Sequence, residues 1–214
     1  MKNPFDSVSN EFDEWYKDHP IILALERGAI GSMNLAGSGL DIGCGTGALS
    51  PAGTLCLDPS LPMLHKAKMR GFESILGMAE SLPFHDQSFD FVIMTTTLCF
   101  LEHPQSAIIE STRVLKTGGY LVICIIPRDS SWGVHYIRKG ELGHPIYCHA
   151  RFLTVKETER MMENASIELD KVASCLHSSP EASLDHDTVL LGDDKGGFVC
   201  LRGRKKLKQG DIRR

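Results

Sequence analysis

The chain has 214 residues, of which 42% are hydrophobic and 23% are charged, and its formal net charge is −4. This length and balance fit one soluble, globular domain with small additions. The longest apolar runs, such as Leu121–Ile126, are far too short to span a bilayer, which argues against membrane association. The first residues contain no basic-then-apolar signal segment, so we expect a cytoplasmic protein.

The charge is unevenly distributed along the chain. Residues 202–214 carry seven Lys or Arg and one Asp, so the remaining body is acidic, at −10. An acidic body argues against a nucleic-acid substrate, because the phosphate backbone would be repelled. We expect the end of the chain, residues 205–214, to be a basic disordered tail.

Seven cysteines are scattered without a CxxC pair. Four of them lie in apolar, strand-like runs, and their number is odd. We therefore expect buried, reduced thiols instead of a disulfide framework, and no metal site, because no zinc-ligand spacing is present.

Taken in chain order, the first elements alternate between helices and short strands. Residues 5–30 have a broken apolar stripe that predicts helix, and a Gly/Ser break at 37–39 follows. The next predicted elements are strands at 40–42 and 54–57, a Ser60-capped helix at 61–70, and strands at 74–76 and 90–95.

The second half continues this alternation. Pro104 opens a helix that we expect to reach Lys116, and a fully apolar strand follows at 120–126. A capping box at Thr154–Glu157 predicts a helix to about Asn164. Two late strands, at 168–176 and 197–202, are expected to run antiparallel to the others.

Together these elements predict an α/β, Rossmann-like, doubly wound and mostly parallel sheet of seven strands, with an antiparallel C-terminal strand. We expect one domain over residues 1–204, in which 1–36 form N-terminal cap helices and 127–152 form a substrate lid. Ligands of such sheets bind at the carboxyl ends of the strands.

A glycine-rich stretch, DIGCGTG, follows the first predicted strand. Glycines at 43, 45 and 47 let a ligand approach the backbone, but their GxGxG spacing differs from the GxGxxG of dinucleotide-binding loops. Asp41 lies beside this loop, where a carboxylate would repel a pyrophosphate and attract an ammonium or sulfonium group. The loop therefore favours a cationic ligand.

Asp58 ends the second predicted strand. A carboxylate there can accept hydrogen bonds from two ribose hydroxyls, although a turn acid before Pro59 and Ser60 is the alternative. The connection from Gly43 to Gly53 is eleven residues long and contains Pro51. Parallel strands normally need a longer, helical crossover, so we expect one irregular helical turn here and a thinly covered sheet face.

The order of the later motifs supports one ligand site. AESLPF, SFDFVI and RVLKTGGYLVI follow DIGCGTG and LDPSLPML. In this combination the chain resembles class I S-adenosylmethionine-dependent methyltransferases of the small-molecule type, close to the ubiquinone and menaquinone biosynthesis group. The resemblance covers residues 5–126 well and is weaker from 127 to 214.

The resemblance implies S-adenosylmethionine as cofactor and assigns its contacts. It places the methionine end on Asp41 and on Gly43, Cys44, Gly45 and Gly47, and the ribose on Asp58. It places the adenine near Pro59, Met63, Ala79 and Glu80, the reacting methyl near Thr95 and Thr96, and Trp15 and Tyr16 as a closing cap. The acid that often precedes Ala79 in this family is replaced by Met78.

The methyl acceptor should enter above the fourth and fifth strands. The lid segment, residues 127–152, is rich in aromatic, His and Arg residues. We predict acceptor contacts from Phe100, Trp132, Tyr136 and Arg151, with Arg128 as another candidate for binding an anion. His135 and His149 are the candidate general bases, although the catalytic residue is left open.

Two other functions compete with methyl transfer to a small-molecule acceptor. One is an NAD-dependent oxidoreductase, against which the GxGxG spacing and Asp41 argue. The other is a non-catalytic relative that only binds the cofactor, and a homo-oligomer is compatible with each of them.

Overall fold

An eight-stranded mixed sheet forms the centre of the protein. The computed structural model describes residues 3–206. Its strands are β1 (Gly39–Ile42), β2 (Leu55–Asp58), β3 (Ser74–Leu76), β4 (Phe89–Thr95), β5 (Leu115–Ile125), β6 (Ile167–Cys175), β7 (Leu190–Leu191) and β8 (Phe198–Lys205). The order across the sheet is β3-β2-β1-β4-β5-β8-β6-β7, which confirms the Rossmann-like prediction.

The direction of one late strand differs from the prediction. Strands β1 to β5 are parallel, and β8 is antiparallel to both β5 and β6. Strand β6 is therefore parallel to the first five, because the helical connection between β5 and β6 returns the chain to the same end of the sheet. The two-residue strand β7 is an eighth strand that the sequence did not indicate.

Six α-helices cover the sheet. They are α1 (Ser9–Asp18), α2 (Pro20–Gly31), α3 (Leu61–Met69), α4 (Pro104–Val114), α5 (Ser131–Glu141) and α6 (Val155–Asn164), all within residues 3–206. The predicted capping box is present, since Thr154 Oγ1 accepts from the Glu157 amide and Glu157 Oε2 accepts from the Thr154 amide. Short 3-10 turns occur at Pro4–Ser7, Leu98–Phe100 and Tyr147–His149.

The junction between α4 and β5 lies earlier than predicted. Helix α4 ends at Val114 instead of Lys116, and β5 starts at Leu115. Phe89 pairs with Leu115, whereas Phe91 pairs with Tyr120, so the register shifts between them. The glycines at 118 and 119 belong to this irregular strand segment and do not terminate the helix.

Alternating side chains of the strands build two apolar layers. Leu40, Val92 and Leu121 pack with residues of α4 and α6 on one face. Ile93 and Val122 pack with residues of α2 and α5 on the other face. Both faces of the central strands are therefore buried, as expected for a parallel sheet.

The first crossover contains no helix. Residues 43–54 form only turns and bends, so the irregular helical turn that we expected is absent. Helix α2 lies alongside, since Arg27 Nε and Nη2 donate to the Ala48 carbonyl at 2.9 and 2.7 Å. An open groove of about 610 Å³ lies between α2, the crossover and Phe72. Helix α2 thus partly covers the sheet face that a crossover helix would otherwise cover.

Two cysteines are joined, which corrects the expectation of reduced thiols throughout. Cys124 of β5 and Cys200 of β8 form a disulfide, while Cys44, Cys56, Cys99, Cys148 and Cys175 are free. The two bonded residues are directly opposite in the antiparallel register. Sequence spacing could not reveal this pairing, because the residues are 76 positions apart.

The two segments with special predicted roles have the following structure. The lid segment contains α5 and the turn Tyr147–His149, neither of which was predicted. Lys205 and Lys206 were assigned to the tail, but Lys205 ends β8 and the Lys206 amide donates to the Ser166 carbonyl. Residues 207–214 of the predicted tail lie outside the described residues. No helix within residues 3–206 is long and apolar enough to cross a membrane.

Candidate functional site

The carboxyl ends of β1, β2 and β4 bring the main predicted residues together. The glycine loop follows β1, Asp58 ends β2, and Thr95 ends β4. The Thr97 hydroxyl lies 3.1 Å from both the Ile42 and the Thr95 carbonyl oxygens, so it ties the ends of β1 and β4. Thr97 was not among the predicted residues, although it extends the run of threonines at 95–97.

All three glycines of the loop adopt positive φ, but for different reasons. A Cβ on Gly43 would lie 2.4 Å from Thr97 Cγ2, and one on Gly47 would lie 2.9 Å from the Phe72 ring. Around Gly45, at φ +56°, no atom lies within 4 Å of such a Cβ. Packing therefore requires Gly43 and Gly47, whereas Gly45 borders open space that a ligand can approach.

Asp58 holds the loop through both of its carboxylate oxygens. Oδ2 accepts from the Gly45 amide at 2.9 Å, and Oδ1 accepts from the Ser60 amide at 2.8 Å. Burial raises the pKa of this carboxyl group, against the effect of these two bonds. Asp58 thus acts as a turn acid. Each of its oxygens also keeps a second acceptor position, which a ribose hydroxyl could use.

Asp41 is buried and only half satisfied. Its Oδ2 accepts from the Ser50 hydroxyl at 2.6 Å, while Oδ1 has no hydrogen-bond partner among the described residues. Burial raises its pKa to about 7; the Ser50 bond opposes this shift and the charge of Asp58 adds to it.

Two more buried oxygens of predicted site residues, Glu80 Oε2 and Thr95 Oγ1, lack a partner within residues 3–206. Buried acceptors without donors are costly, so they fit a ligand that brings N–H or O–H groups. The ammonium, amino and ribose groups of S-adenosylmethionine supply such donors, so the residues present fit this cofactor.

The other residues predicted near adenine differ in exposure. Met63 is 1% exposed inside α3 and Ala79 is 5% exposed, whereas Pro59 is exposed at the strand end. Cys44, predicted at the methionine end, is half-buried in the loop. Met78, the departure from the family pattern, forms an isolated bridge with Ser81 next to Glu80.

The N-terminal segment, residues 3–18, covers this edge of the sheet. The Phe5 ring meets the Phe100 ring edge-on at 4.9 Å. Asp13 of α1 forms ion pairs with Lys66 of α3 at 3.4 Å and with Arg70, the residue after α3, at 3.0 Å. The segment therefore reaches from the turn after β4 to α3, and its role as a cap over the cofactor stays a prediction.

The two predicted cap aromatics have different positions. Trp15 is half-buried and stacks on His19 at 4.3 Å. Tyr16 is buried, and its hydroxyl donates to Glu26 Oε2 at 2.8 Å.

Glu26 is a buried acid that the sequence interpretation missed. It is 4% exposed, and burial raises its pKa to about 7. Its position was detectable: it lies four residues after Ile22 and four before Ile30, both buried on the same stripe of α2.

The lid segment packs onto the turn that follows β4. The Arg151 amide donates to the Cys99 carbonyl at 2.6 Å. Trp132 and Tyr136 are both buried, and Trp132 Nε1 donates to the Ser178 carbonyl at 2.8 Å. A small cavity of about 10 Å³ lies between Thr96, Cys99, Ile125, Phe152 and neighbouring apolar residues.

The predicted ionisable lid residues are engaged elsewhere or exposed. His135 Nδ1 lies 3.4 Å from Glu181 Oε1, and Arg128 pairs with Glu157 at 2.9 Å. His149 and the Arg151 side chain are exposed. Among the described residues, no hydrogen bond or ion pair joins either histidine to the glycine loop or to Thr95, so their role as bases stays a prediction.

No group of three His, Cys, Asp or Glu residues suited to a metal ion occurs in residues 3–206.

Comparisons with known proteins agree with this arrangement. A family model described as a methyltransferase domain matches residues 40–123. An uncharacterised protein of Methanocaldococcus jannaschii is 35% identical over 205 residues, which cover 95% of this chain and 99% of the relative. The demethylmenaquinone methyltransferase of Renibacterium salmoninarum is 41% identical over 92 residues, 39% of each chain.

A solved structure from Thermotoga maritima matches nearly the whole molecule. It is described as a SAM-dependent methyltransferase, possible histamine N-methyltransferase, and is 36% identical. The TM-score is 0.90, and the match covers 96% of this chain and 100% of that one. Sequence and fold thus agree, and the chain belongs to the S-adenosylmethionine-dependent methyltransferase family, with S-adenosylmethionine as its cofactor.

Proposed function

We propose that the enzyme transfers the methyl group to a small-molecule acceptor by in-line displacement. The observation that carries this proposal is the enclosure of the strand ends. The N-terminal segment covers them through the Phe5–Phe100 contact, and the lid segment covers them through the Arg151–Cys99 bond. A space bounded in this way suits a small molecule better than a macromolecule.

Different predicted residues contact different parts of the cofactor. Asp41 attracts the ammonium end, Asp58 accepts from ribose hydroxyls, and Gly45 lets the ligand approach the backbone. Glu80 and Ala79 lie on the adenine side, and Thr95 and Thr96 face the methyl group. These assignments rest on the family resemblance and on the unpartnered oxygens of Asp41, Glu80 and Thr95.

When bound, the cofactor supplies a methyl group on a positively charged sulfur, which keeps the electron pair of the broken carbon–sulfur bond. The protein's part is to align the acceptor atom with that bond and to exclude water. Within the lid segment, the buried side chains of Tyr136 and Phe152 contribute to the apolar core that excludes water on this side. A base is needed only if the acceptor atom must lose a proton.

The names of two similar proteins support a small acceptor. One is described as acting on demethylmenaquinone, and the other as a possible histamine N-methyltransferase. Both descriptions concern those proteins, and they share only the size class of the acceptor.

The test combines calorimetry with a turnover assay. We expect S-adenosylhomocysteine to bind and NAD not to bind. With S-adenosylmethionine and a panel of small amines, phenols, thiols and carboxylates, we expect release of S-adenosylhomocysteine with at least one class. Binding of NAD without S-adenosylhomocysteine would contradict the assignment, and cofactor binding with no turnover across the panel would contradict the small-molecule acceptor.

A further inference from the structure

The open groove beside the helix-free crossover has a volume of about 610 Å³. Its walls are the C-terminal half of α2, the crossover, and the residues Arg70 and Phe72 that follow α3. Of its described lining residues, none is Asp58, Glu80 or Thr95, so the groove is distinct from the proposed cofactor contacts. Its volume falls in the range of about 300–1,000 Å³ that small-molecule sites occupy.

Much of the groove lining is apolar and only partly covered. Leu35, Leu49 and Phe72 line the groove, and all three side chains are half-buried. In a doubly wound sheet, a helical crossover ordinarily covers side chains at this place. A ligand that covers apolar surface gains free energy by removing it from water, so these walls favour a ligand with an apolar body.

The groove carries positive charge in a chain whose net charge is −4. Its described lining contains Arg27 and Arg70 but neither Asp nor Glu. Arg70 forms an ion pair with Asp13 at 3.0 Å, which balances its charge. Arg27 forms no ion pair with any carboxylate of residues 3–206. The uncompensated charge at the groove is therefore that of Arg27.

Arg27 is held in place by a group that does not neutralise it. Its Nε and Nη2 atoms donate to the Ala48 carbonyl at 2.9 and 2.7 Å, and no acceptor within residues 3–206 bonds to Nη1. Since a guanidinium group has five N–H donors, the edge formed by Nη1 and Nη2 stays available. That edge matches two oxygens of a carboxylate or a phosphate, so Arg27 is oriented to bind an anion.

We propose that this groove is a second binding site, for a small molecule in which one carboxylate or phosphate group is attached to an apolar body. Arg27 binds the anionic group, and Leu35, Leu49 and Phe72 cover the apolar body. A neutral molecule gains no charge pairing, and an anion without an apolar body leaves the walls uncovered. This inference goes beyond the proposed methyl transfer and does not depend on which acceptor is methylated.

A purely structural role for Arg27 makes a different prediction. In that case its bonds to the Ala48 carbonyl serve only to join α2 to the crossover, and no anion binds. Gly31 offers a variant that leaves those bonds intact, because it lines the groove and a Cβ on it would have no atom within 4 Å. Its φ lies outside the left-handed region, and leucine is a better helix former than glycine. Gly31→Leu should therefore fill the groove without disturbing Arg27.

The experiment is titration calorimetry on the full chain saturated with S-adenosylhomocysteine, so that the cofactor site is occupied. The probes are octanoate and octyl phosphate, which distinguish the two kinds of anion, with octan-1-ol as neutral counterpart and acetate as an anion without an apolar body. The variants are Arg27→Gln, Gly31→Leu and, as a charge-matched control, Arg160→Gln at an exposed position of α6. If S-adenosylhomocysteine does not bind, the methyltransferase assignment fails, and the same titrations without it still test the groove.

We expect octanoate or octyl phosphate to bind tenfold or more tightly than both octan-1-ol and acetate. Arg27→Gln should remove the preference over octan-1-ol, Gly31→Leu should weaken binding of the preferred anion at least tenfold, and Arg160→Gln should behave as wild type. The proposal is overturned if neither anion exceeds both counterparts, or if the preferred anion binds Gly31→Leu with native affinity. Preference retained in Arg27→Gln, or lost in Arg160→Gln, would also contradict it. If Arg27→Gln does not fold, Gly31→Leu decides the outcome.

Discussion

Asp41, one residue before the end of β1, and Asp58, the last residue of β2, lie on neighbouring strands, yet their carboxylates have different surroundings. Both oxygens of Asp58 accept backbone N–H groups, whereas one oxygen of Asp41 is unpartnered among the described residues. Asp58 therefore shapes the loop even before a ligand binds. The free oxygen of Asp41 can therefore accept a hydrogen bond from a ligand, since no donor within residues 3–206 contacts it.

Substitution of Asp58 tests the ribose assignment. Asp58→Ala should weaken S-adenosylhomocysteine binding by about 1.5–3 kcal/mol, because it removes charge-assisted hydrogen bonds. Asp58→Asn keeps one acceptor oxygen and should give an intermediate loss. Titration calorimetry measures both, and an unchanged affinity in Asp58→Ala would show that the ribose assignment is wrong.

The raised pKa of Glu26 predicts a pH-dependent effect on stability. Burial raises this pKa from 4.5 to about 7, so the folded state keeps a proton that the unfolded chain has lost between these values. The free energy of unfolding therefore falls as pH rises through this window. Glu26→Gln does not titrate, so its stability relative to wild type should increase by on the order of 3 kcal/mol from pH 4.5 to pH 8.

Urea unfolding at several pH values measures this difference. The exposed variant Glu163→Gln should follow wild type at each pH. Asp41 titrates in all three proteins, so its contribution cancels in the comparison. A pH-independent difference between Glu26→Gln and wild type would mean that Glu26 is not held protonated in the fold.

At the scale of elements, the glycine loop and the helix-free crossover are one continuous turn structure. Gly45 and Gly53 both have positive φ, at +56° and +78°, and a Cβ on either one would have no atom within 4 Å. They differ in position, because the Gly45 amide donates to Asp58, whereas Gly53 is exposed before β2. Gly53 therefore serves as a control for substitutions at Gly45.

Valine at each position should separate backbone strain from ligand contact. Gly45→Val and Gly53→Val should both lose about 1–2 kcal/mol of stability, because a side chain disfavours positive φ. Only Gly45→Val should abolish S-adenosylhomocysteine binding. Melting temperature and calorimetry give the two readouts, and native affinity in folded Gly45→Val would contradict the role of the loop.

Helix α5 shows why part of the lid segment could not be predicted. Its sequence includes Gly133 and Gly140, which are poor helix formers. The helix is stabilised by Ser130, whose Oγ accepts from the Gly133 amide at 3.0 Å, and by the buried Trp132 and Tyr136. Such tertiary packing outweighs local propensity and leaves little trace in the sequence pattern.

At the scale of the whole molecule, the Cys124–Cys200 disulfide joins two central strands. It links residues 76 positions apart. Its removal in Cys124→Ala/Cys200→Ala should lower the free energy of unfolding by about 2–4 kcal/mol, because the unfolded chain regains freedom. Reductant should destabilise wild type similarly and leave the double variant unchanged.

Urea unfolding with and without reductant checks this expectation, with the exposed Cys148→Ala as control. Peptide mapping under non-reducing conditions identifies the bond directly. Free thiols at Cys124 and Cys200, together with a wild-type unfolding midpoint that does not change with reductant, would contradict the disulfide.

The sequence predicted the mostly parallel, Rossmann-like sheet and most of the residues near its strand ends, because apolar runs and glycine breaks are local signals. Asp41, Asp58 and Thr95 are at strand ends, so their convergence follows from parallel pairing. The direction of β6 and the opposition of Cys124 and Cys200 depend on crossover paths and register, which no local pattern contains. Glu26 was detectable from helical spacing, but its hydrogen bond from Tyr16 depends on how α1 packs against α2.

The helix-free crossover has a consequence for what can fold alone. All the family motifs lie within residues 40–123, but Ile93 and Val122 are covered by α2, which precedes this range, and by α5, which follows it. A fragment that begins at β1 would keep each family motif but would lose the helix that buries one face of its sheet. The segment that identifies the family is therefore shorter than the segment that we expect to fold on its own.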